Sequence, residues 1–181
     1  NLKYAYDYLR YVQDPQTNAA TMPCRNHYAQ QDIYGSVAAS WNNQWLSLNA
    51  STDLRWSDLR SNVYGYGYVY RLDSKSLLSA ILSWHGLEAN IALLYTHLAD
   101  HTQGQAKPLD KLAPMYLASY RWRNWVARAY HKRIFRAPTL NDLYYTLVGS
   151  TSLKPEYTSQ WDAGVDYRDR HLHLAVDAYY N

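Results

Sequence analysis
The chain has 181 residues and a formal net charge of +3, from 18 Lys and Arg against 15 Asp and Glu. Its densest basic group, Arg128, Lys132, Arg133 and Arg136, falls on both faces of one predicted strand, which excludes a nucleic-acid groove. The lone Cys24 excludes a disulfide framework or zinc spacing, and no run approaches the roughly 18 apolar residues of a membrane helix.

Period-2 alternation of polar and apolar residues predicts nine strands, over about 2–12, 31–41, 44–55, 75–84, 87–98, 113–123, 125–136, 158–168 and 170–181. In the second, Val37, Ala39 and Trp41 alternate with Ser36, Ala38 and Ser40; in the third, Leu46, Leu48 and Ala50 alternate with Ser47 and Asn49. The runs 75–84 and 87–98 are more uniformly apolar, and the break at His85-Gly86 makes them a hairpin. The eighth sets Trp161, Ala163, Val165 and Tyr167 against Gln160, Asp162, Gly164 and Asp166; the ninth sets Leu172, Leu174, Val176, Ala178 and Tyr180 against His171, His173, Asp177 and Tyr179.

Short turns at Asn42-Asn43, His85-Gly86, Arg123-Asn124 and Asp169-Arg170 alternate with long loops over about 13–30, 56–74, 99–112 and 137–157. Five of the seven tryptophans, Trp41, Trp45, Trp84, Trp122 and Trp125, sit at the short turns. Indole settles where an apolar layer meets water, so these strand ends are expected in one plane at a membrane surface. The 20 tyrosines against one phenylalanine fit the same wet boundary, since a dry core spends a partner on every buried hydroxyl. The reading is all-β: an antiparallel transmembrane β-barrel segment of about nine strands, with short turns periplasmic and long loops outside. The chain starts and stops within the strand pattern and is expected to be an internal piece.

One stretch is more specific. Ile134 is followed by Phe135, Arg136, Ala137, Pro138, Thr139 and Leu140, with Asp142, Leu143, Tyr144 and Tyr145 close behind; Leu153, Lys154, Pro155 and Glu156 then lead into a strand. This resembles the Phe-Arg-Ala-Pro-Thr…(Asp/Glu)-Leu-Tyr stretch and the later Leu-Lys-Pro-Glu of TonB-dependent outer-membrane receptors. Ser150, Thr151 and Ser152 stand where such receptors often have a Gly-Asn-Pro-Asn turn. The resemblance implies a barrel of about 22 strands, of which this chain supplies nine and lacks the plug domain and closing strands. It also implies the outer membrane of a Gram-negative bacterium, contact with its lipid, and a TonB complex that acts through the missing plug. The implied activity is energised uptake of a siderophore, cobalamin or similar large nutrient. The alternative is a passive outer-membrane barrel of an enzyme or adhesin.

The physical reading assigns the motif to scaffold. Pro138 lacks an N–H and ends a strand, Pro155 holds Lys154 extended before the next, and Arg136 and Glu156 hold the rim. Tyr66, Tyr68, Tyr144 and Tyr145 are the candidate ligand contacts, because each offers a stacking ring and one directed hydrogen bond. His171 and His173 share a strand face without a nearby Cys or carboxylate triad and are assigned to the lumen wall, not to a metal. Haem receptors resembling this chain carry a His between the two halves of the motif, and residues 139–152 contain none. No phosphate loop or nucleophile elbow appears, so neither a cofactor nor a catalytic residue is expected. The isolated piece is expected to self-associate through its strand edges.

Overall fold
In the computed structural model, the described residues are 1–13, 24–63, 66–102, 108–144 and 149–181. Nine strands form one antiparallel sheet in strict chain order: β1 (Leu2–Gln13), β2 (Cys24–Asn42), β3 (Leu46–Ser61), β4 (Val69–Trp84), β5 (Leu87–His101), β6 (Leu109–Trp122), β7 (Trp125–Arg136), β8 (Glu156–Arg168) and β9 (His173–Tyr180). A five-residue helix, α1 (Leu140–Tyr144), lies between β7 and β8.

The register fixes two faces with different chemistry. Leu46, Leu48, Ala50, Thr52, Leu54 and Trp56 of β3 share one face with Leu82, Ala80, Leu78 and Leu72 of β4, and with Leu87, Ile91 and Leu93 of β5. Much of this face is uncovered: Leu78 is 61% exposed and Ile91 56%, as are Val37 of β2 at 76% and Val176 of β9 at 73%. Apolar surface on this scale does not persist in water, and lipid is the solvent that suits it. From Leu46 to Trp56 the band runs roughly 33 Å along the strand, or about 25 Å once strands tilt by about 40°, the height of an outer-membrane barrel's apolar belt.

The opposite face is polar. Asp32 accepts from Arg55 at 2.9 Å and from Gln30 at 3.0 Å, and Ser57 also bonds it. Tyr34 donates to Asp53 at 3.0 Å, and Arg128 spans Asp166 and Asp177. Gly164 lies directly opposite both Arg128 and Asp177, and leaves room for that bridge.

All four short turns lie at one end of the sheet and are stitched to one another. Ser83 N donates to Trp45 O at 2.9 Å, Arg121 N to Gly86 O at 2.8 Å, and Arg168 N to Asn124 O at 2.9 Å. Trp41, Trp45, Trp84, Trp122 and Trp125 sit on this rim, between 46% and 60% exposed. At His85-Gly86 both residues have positive φ, 46° and 85°, the geometry of the tight hairpin turn that follows strand twist.

Four details differ from the sequence reading. The strands run from 8 to 19 residues, and β2 to β4 extend well into the predicted long loops. Most of 56–74 is therefore strand, with Trp56 inside β3. Beyond the membrane belt both faces meet water, so apolar alternation stops while the hydrogen-bonded ladder continues. The first turn takes Asn43–Trp45, because the Asn43 carboxamide oxygen accepts from Trp45 N and Leu46 N at 2.9 and 2.8 Å. The last takes four residues: Asp169 accepts from His171 N and Leu172 N at 2.7 and 2.8 Å, which removes His171 from the strand and from the face of His173. Finally, the 137–157 loop contains α1.

Candidate functional site at the long-loop rim
The segment after β7 folds back over the polar face of β2, β3 and β4. Thr139 and Asp142 start it: the Thr139 hydroxyl accepts from Asp142 N at 3.1 Å, and the Asp142 carboxylate accepts from Thr139 N at 2.9 Å. This reciprocal cap satisfies two helix donors, and it holds the Asp142 carboxyl below its ordinary range. The cap aims Leu140 inward, where it is 4% exposed and packs with Tyr28, Leu59 and Val69. These four form the buried apolar cluster, with Val63, Tyr66 and Tyr144 against them.

Arg71 of β4 locks the arrangement. Its guanidinium grips Asp100 of β5 with two bonds, 2.6 and 2.7 Å, and donates to the Pro138 carbonyl at 2.6 Å. Both side chains are nearly buried, at 12% and 14% exposure. A paired, forked guanidinium is strong because its geometry is fixed. It ties β4 and β5 to the proline of the family-like motif, 67 residues away in sequence.

The structure separates the candidate tyrosines. Tyr66 meets Tyr28 edge-on, with centroids 6.3 Å apart at 88°, and shares its neighbourhood with Tyr144. Burial pushes both hydroxyls up, and the neighbouring tyrosines add to the effect at Tyr66. The buried Tyr66 hydroxyl has no hydrogen-bond partner among the described residues. Tyr68 stands on the other face, donating to Asp58 at 3.1 Å beneath the Arg60 guanidinium and beside Tyr70. Tyr66 N donates to Val63 O at 3.0 Å, and β4 begins only at Val69. Tyr145 lies outside the described residues.

The motif residues build the rim. Arg136 and Glu156 face each other across β7 and β8, but their closest approach is 3.9 Å and both are more than 70% exposed, so the pair adds little. Phe135 and Tyr157 pack at 5.5 Å on the other face. β7 stops at Arg136, before Ala137 and Pro138, and β8 starts at Glu156, after Leu153, Lys154 and Pro155. Sequence reading missed Arg71, Asp100 and Leu140; only Thr139 and Asp142, spaced as a cap before Leu143, carried a signal for the helix. His173 lies 3.6 Å from Asp166, and no group of three or more metal-binding side chains occurs among the described residues.

Comparison with known proteins adds a family. The family described as TonB dependent receptor-like, beta-barrel, matches residues 1–181. Among solved structures, the FrpB iron transporter from Neisseria meningitidis (F3-3 variant) superposes with a TM-score of 0.76 at 13% identity, over 97% of this chain and 31% of that one. The copper transporter OprC gives 0.71 at 14% identity, over 98% and 34%. The alcaligin outer-membrane receptor FauA from Bordetella pertussis gives 0.51 at 14%, over 98% and 33%. At such identities the likeness is one of fold, and the chain spans about a third of the length of these proteins. No curated protein matches the chain.

Proposed function
Because this chain belongs to the TonB-dependent receptor-like β-barrel family, we propose that it forms part of the wall of an outer-membrane barrel for energised import of a siderophore, cobalamin or comparable large nutrient. The observation that carries this reading is the division of one sheet into an exposed apolar face, free of charge on β1 to β4 from the short turns up to Trp56, and a face of ion pairs. A passive barrel with a polar interior would show both faces as well, and the family match over the whole chain is what favours import over that alternative.

In this proposal the long-loop rim faces outward and receives the nutrient. Tyr66 and Tyr144, partly buried beside the Arg71 clamp, offer ring area. Tyr145 remains a contact candidate, whereas Tyr68 is engaged with Asp58 and Arg60 on the opposite face. The rest of the protein supplies a plug and, through it, the contact with the TonB complex.

Two experiments test this. Growth of a strain deleted for the whole gene, on single iron, copper or cobalamin sources, should fail on one of them, and removal of TonB should reproduce that failure. Growth unaffected on every source would remove the import reading. For orientation, cysteines at Thr102 and Asn43 in a Cys24→Ser background are treated on intact cells with a membrane-impermeant reagent. Labelling at position 102 alone supports the outward rim, and labelling at 43 alone reverses it.

A further inference from the structure
The register fixes the side to which each backbone group of β6 points. Arg121 N donates to Gly86 O on the β5 side, and the pairing with β5 runs without a bulge from Leu87 opposite Tyr120 to Leu98 opposite Leu109. Backbone groups alternate sides along a strand, so Tyr116, Pro114, Leu112 and Asp110 turn theirs toward β7. Proline has no N–H to give there. The β6–β7 ladder ends at that point. Its last pair is Met115 with Lys132, although β6 starts at Leu109 and β7 runs on to Arg136. Past that pair the two strands part along a seam, and neither edge has a ladder partner among the described residues. Pro114 stands about nine residues from the Arg123-Asn124 turn, or roughly 23 Å up a strand tilted by about 40°, at the top of the apolar belt. Unpaired backbone is tolerable from that height upward, where water replaces hydrocarbon.

Beyond the seam the end of β7 is laddered to β8 alone, as far as Arg136 opposite Glu156. Its continuation is caught by Arg71 of β4, which donates to the Pro138 carbonyl at 2.6 Å. In an unbroken wall β7 and β4 stand three strand spacings apart, about 14 Å. The two residues from Arg136 to Pro138 cover at most about 7 Å. The end of β7 therefore has to lean across the polar face of β6 before Arg71 can reach it. A second contact agrees: the Lys111 ammonium of β6 lies 5.2 Å from the Tyr157 ring of β8, bypassing the strand between them.

We propose that Pro114 is a positioning residue for the long-loop rim. By withholding one ladder bond from Arg133, it frees the end of β7 to lean over the polar face. There Arg71 captures Pro138, Leu140 docks on Tyr28, Leu59 and Val69, and Tyr144 is brought against them. Its part in cargo binding rests on the import reading above, whereas its placement of α1 does not.

The test is residue-resolved amide exchange on the full-length receptor in detergent, without cargo. In the parent, Leu112 and Phe135, the next pair the ladder would make, should exchange at least about tenfold faster than Tyr116 and Ala118, which face β7 within it. Pro114→Val restores the N–H. It should slow Leu112 and Phe135 about tenfold and quicken 140–144 by a similar factor, because a closed ladder draws Pro138 away from Arg71. Arg71→Met should quicken 140–144 alone and leave Leu112 and Phe135 fast, since the missing N–H persists. Slow exchange at Leu112 and Phe135 in the parent, an arm that needs no variant, would overturn the proposal. So would a Pro114→Val protein in which either region is unchanged, or an Arg71→Met protein in which the seam closes or 140–144 stays protected. No cargo or energy source enters the measurement, so failure here leaves the import reading standing, and failure of import leaves the seam standing.

Discussion

A Cβ on Gly164 would lie 1.9 Å from the Asp177 carboxylate and 3.2 Å from Arg128 Nε, so the bridge and any larger residue exclude each other. Gly164→Ala is expected to lower stability by about 1–2 kcal/mol, read as a lower temperature for loss of the folded, compact gel band. In an Asp177→Ala background the same change should cost clearly less, because the clash and the bonds it breaks are already gone; full additivity would reject this account. Arg71 is a sharper case. Arg71→Met strands the nearly buried Asp100 carboxylate and frees Pro138, which should cost about 3 kcal/mol, while Arg71→Met/Asp100→Leu should recover part of it. The exposed Asp142 gives a pH signature instead. Its folded pKa is depressed by the Thr139 bonds, so its contribution is fully present above the unfolded value and is lost as pH falls through the folded one. Protection of the 140–144 amides, exchange corrected for its intrinsic base-catalysed rate, should therefore fall below the ordinary carboxylate range and stay level around neutrality, and Asp142→Asn should remove that pH dependence.

The same chemistry explains which elements could be read from the sequence. Within the belt, lipid on one side and water on the other force alternation, so β7 and β8 appear almost residue for residue in the pattern, while the more uniformly apolar β5 is marked by the His85-Gly86 break. Above the belt that contrast vanishes. Ser57, Asp58 and Arg60 of β3 look like loop, although Asp32 and Asp58 bind them into a ladder. α1 is too short for a helical period to show, and its docking depends on Arg71 and Leu59, neither of which is marked by local sequence. Tyr66 and Tyr68 look equivalent at i and i+2, yet they stand on opposite faces because neither lies within β4, which begins at Val69. Turns respond to simpler tests. Gly86 has φ of 85°, and a Cβ there would meet Arg121 O at 2.6 Å. Gly86→Ala should thus slow refolding into detergent and lower stability by about 1–3 kcal/mol, whereas Gly35→Ala, with no atom within 4 Å of the added carbon, should change neither measurably.

For the molecule as a whole, the indoles on the short-turn rim provide a depth gauge. In reconstituted protein, Trp41, Trp45, Trp84, Trp122 and Trp125 should be quenched by a label at the headgroup and spared by one at the bilayer centre. The reverse order would displace the belt assigned here. Among the described residues β1 and β9 each pair on one side only, so this piece refolded alone should sediment above its 21.1 kDa mass.

Every ladder in the sheet joins strands that are consecutive in the chain. Nothing in such a wall depends on a distant crossover, and each hairpin brings its own turn, its own inward and outward faces and its own share of circumference. A barrel assembled this way can gain or lose a hairpin by duplication or deletion of a short contiguous stretch of gene, and the remaining strands keep their neighbours. Its lumen can therefore be resized over evolutionary time without a new topology, while residues such as Arg71, which bind one hairpin to a loop far along the chain, mark where that freedom ends.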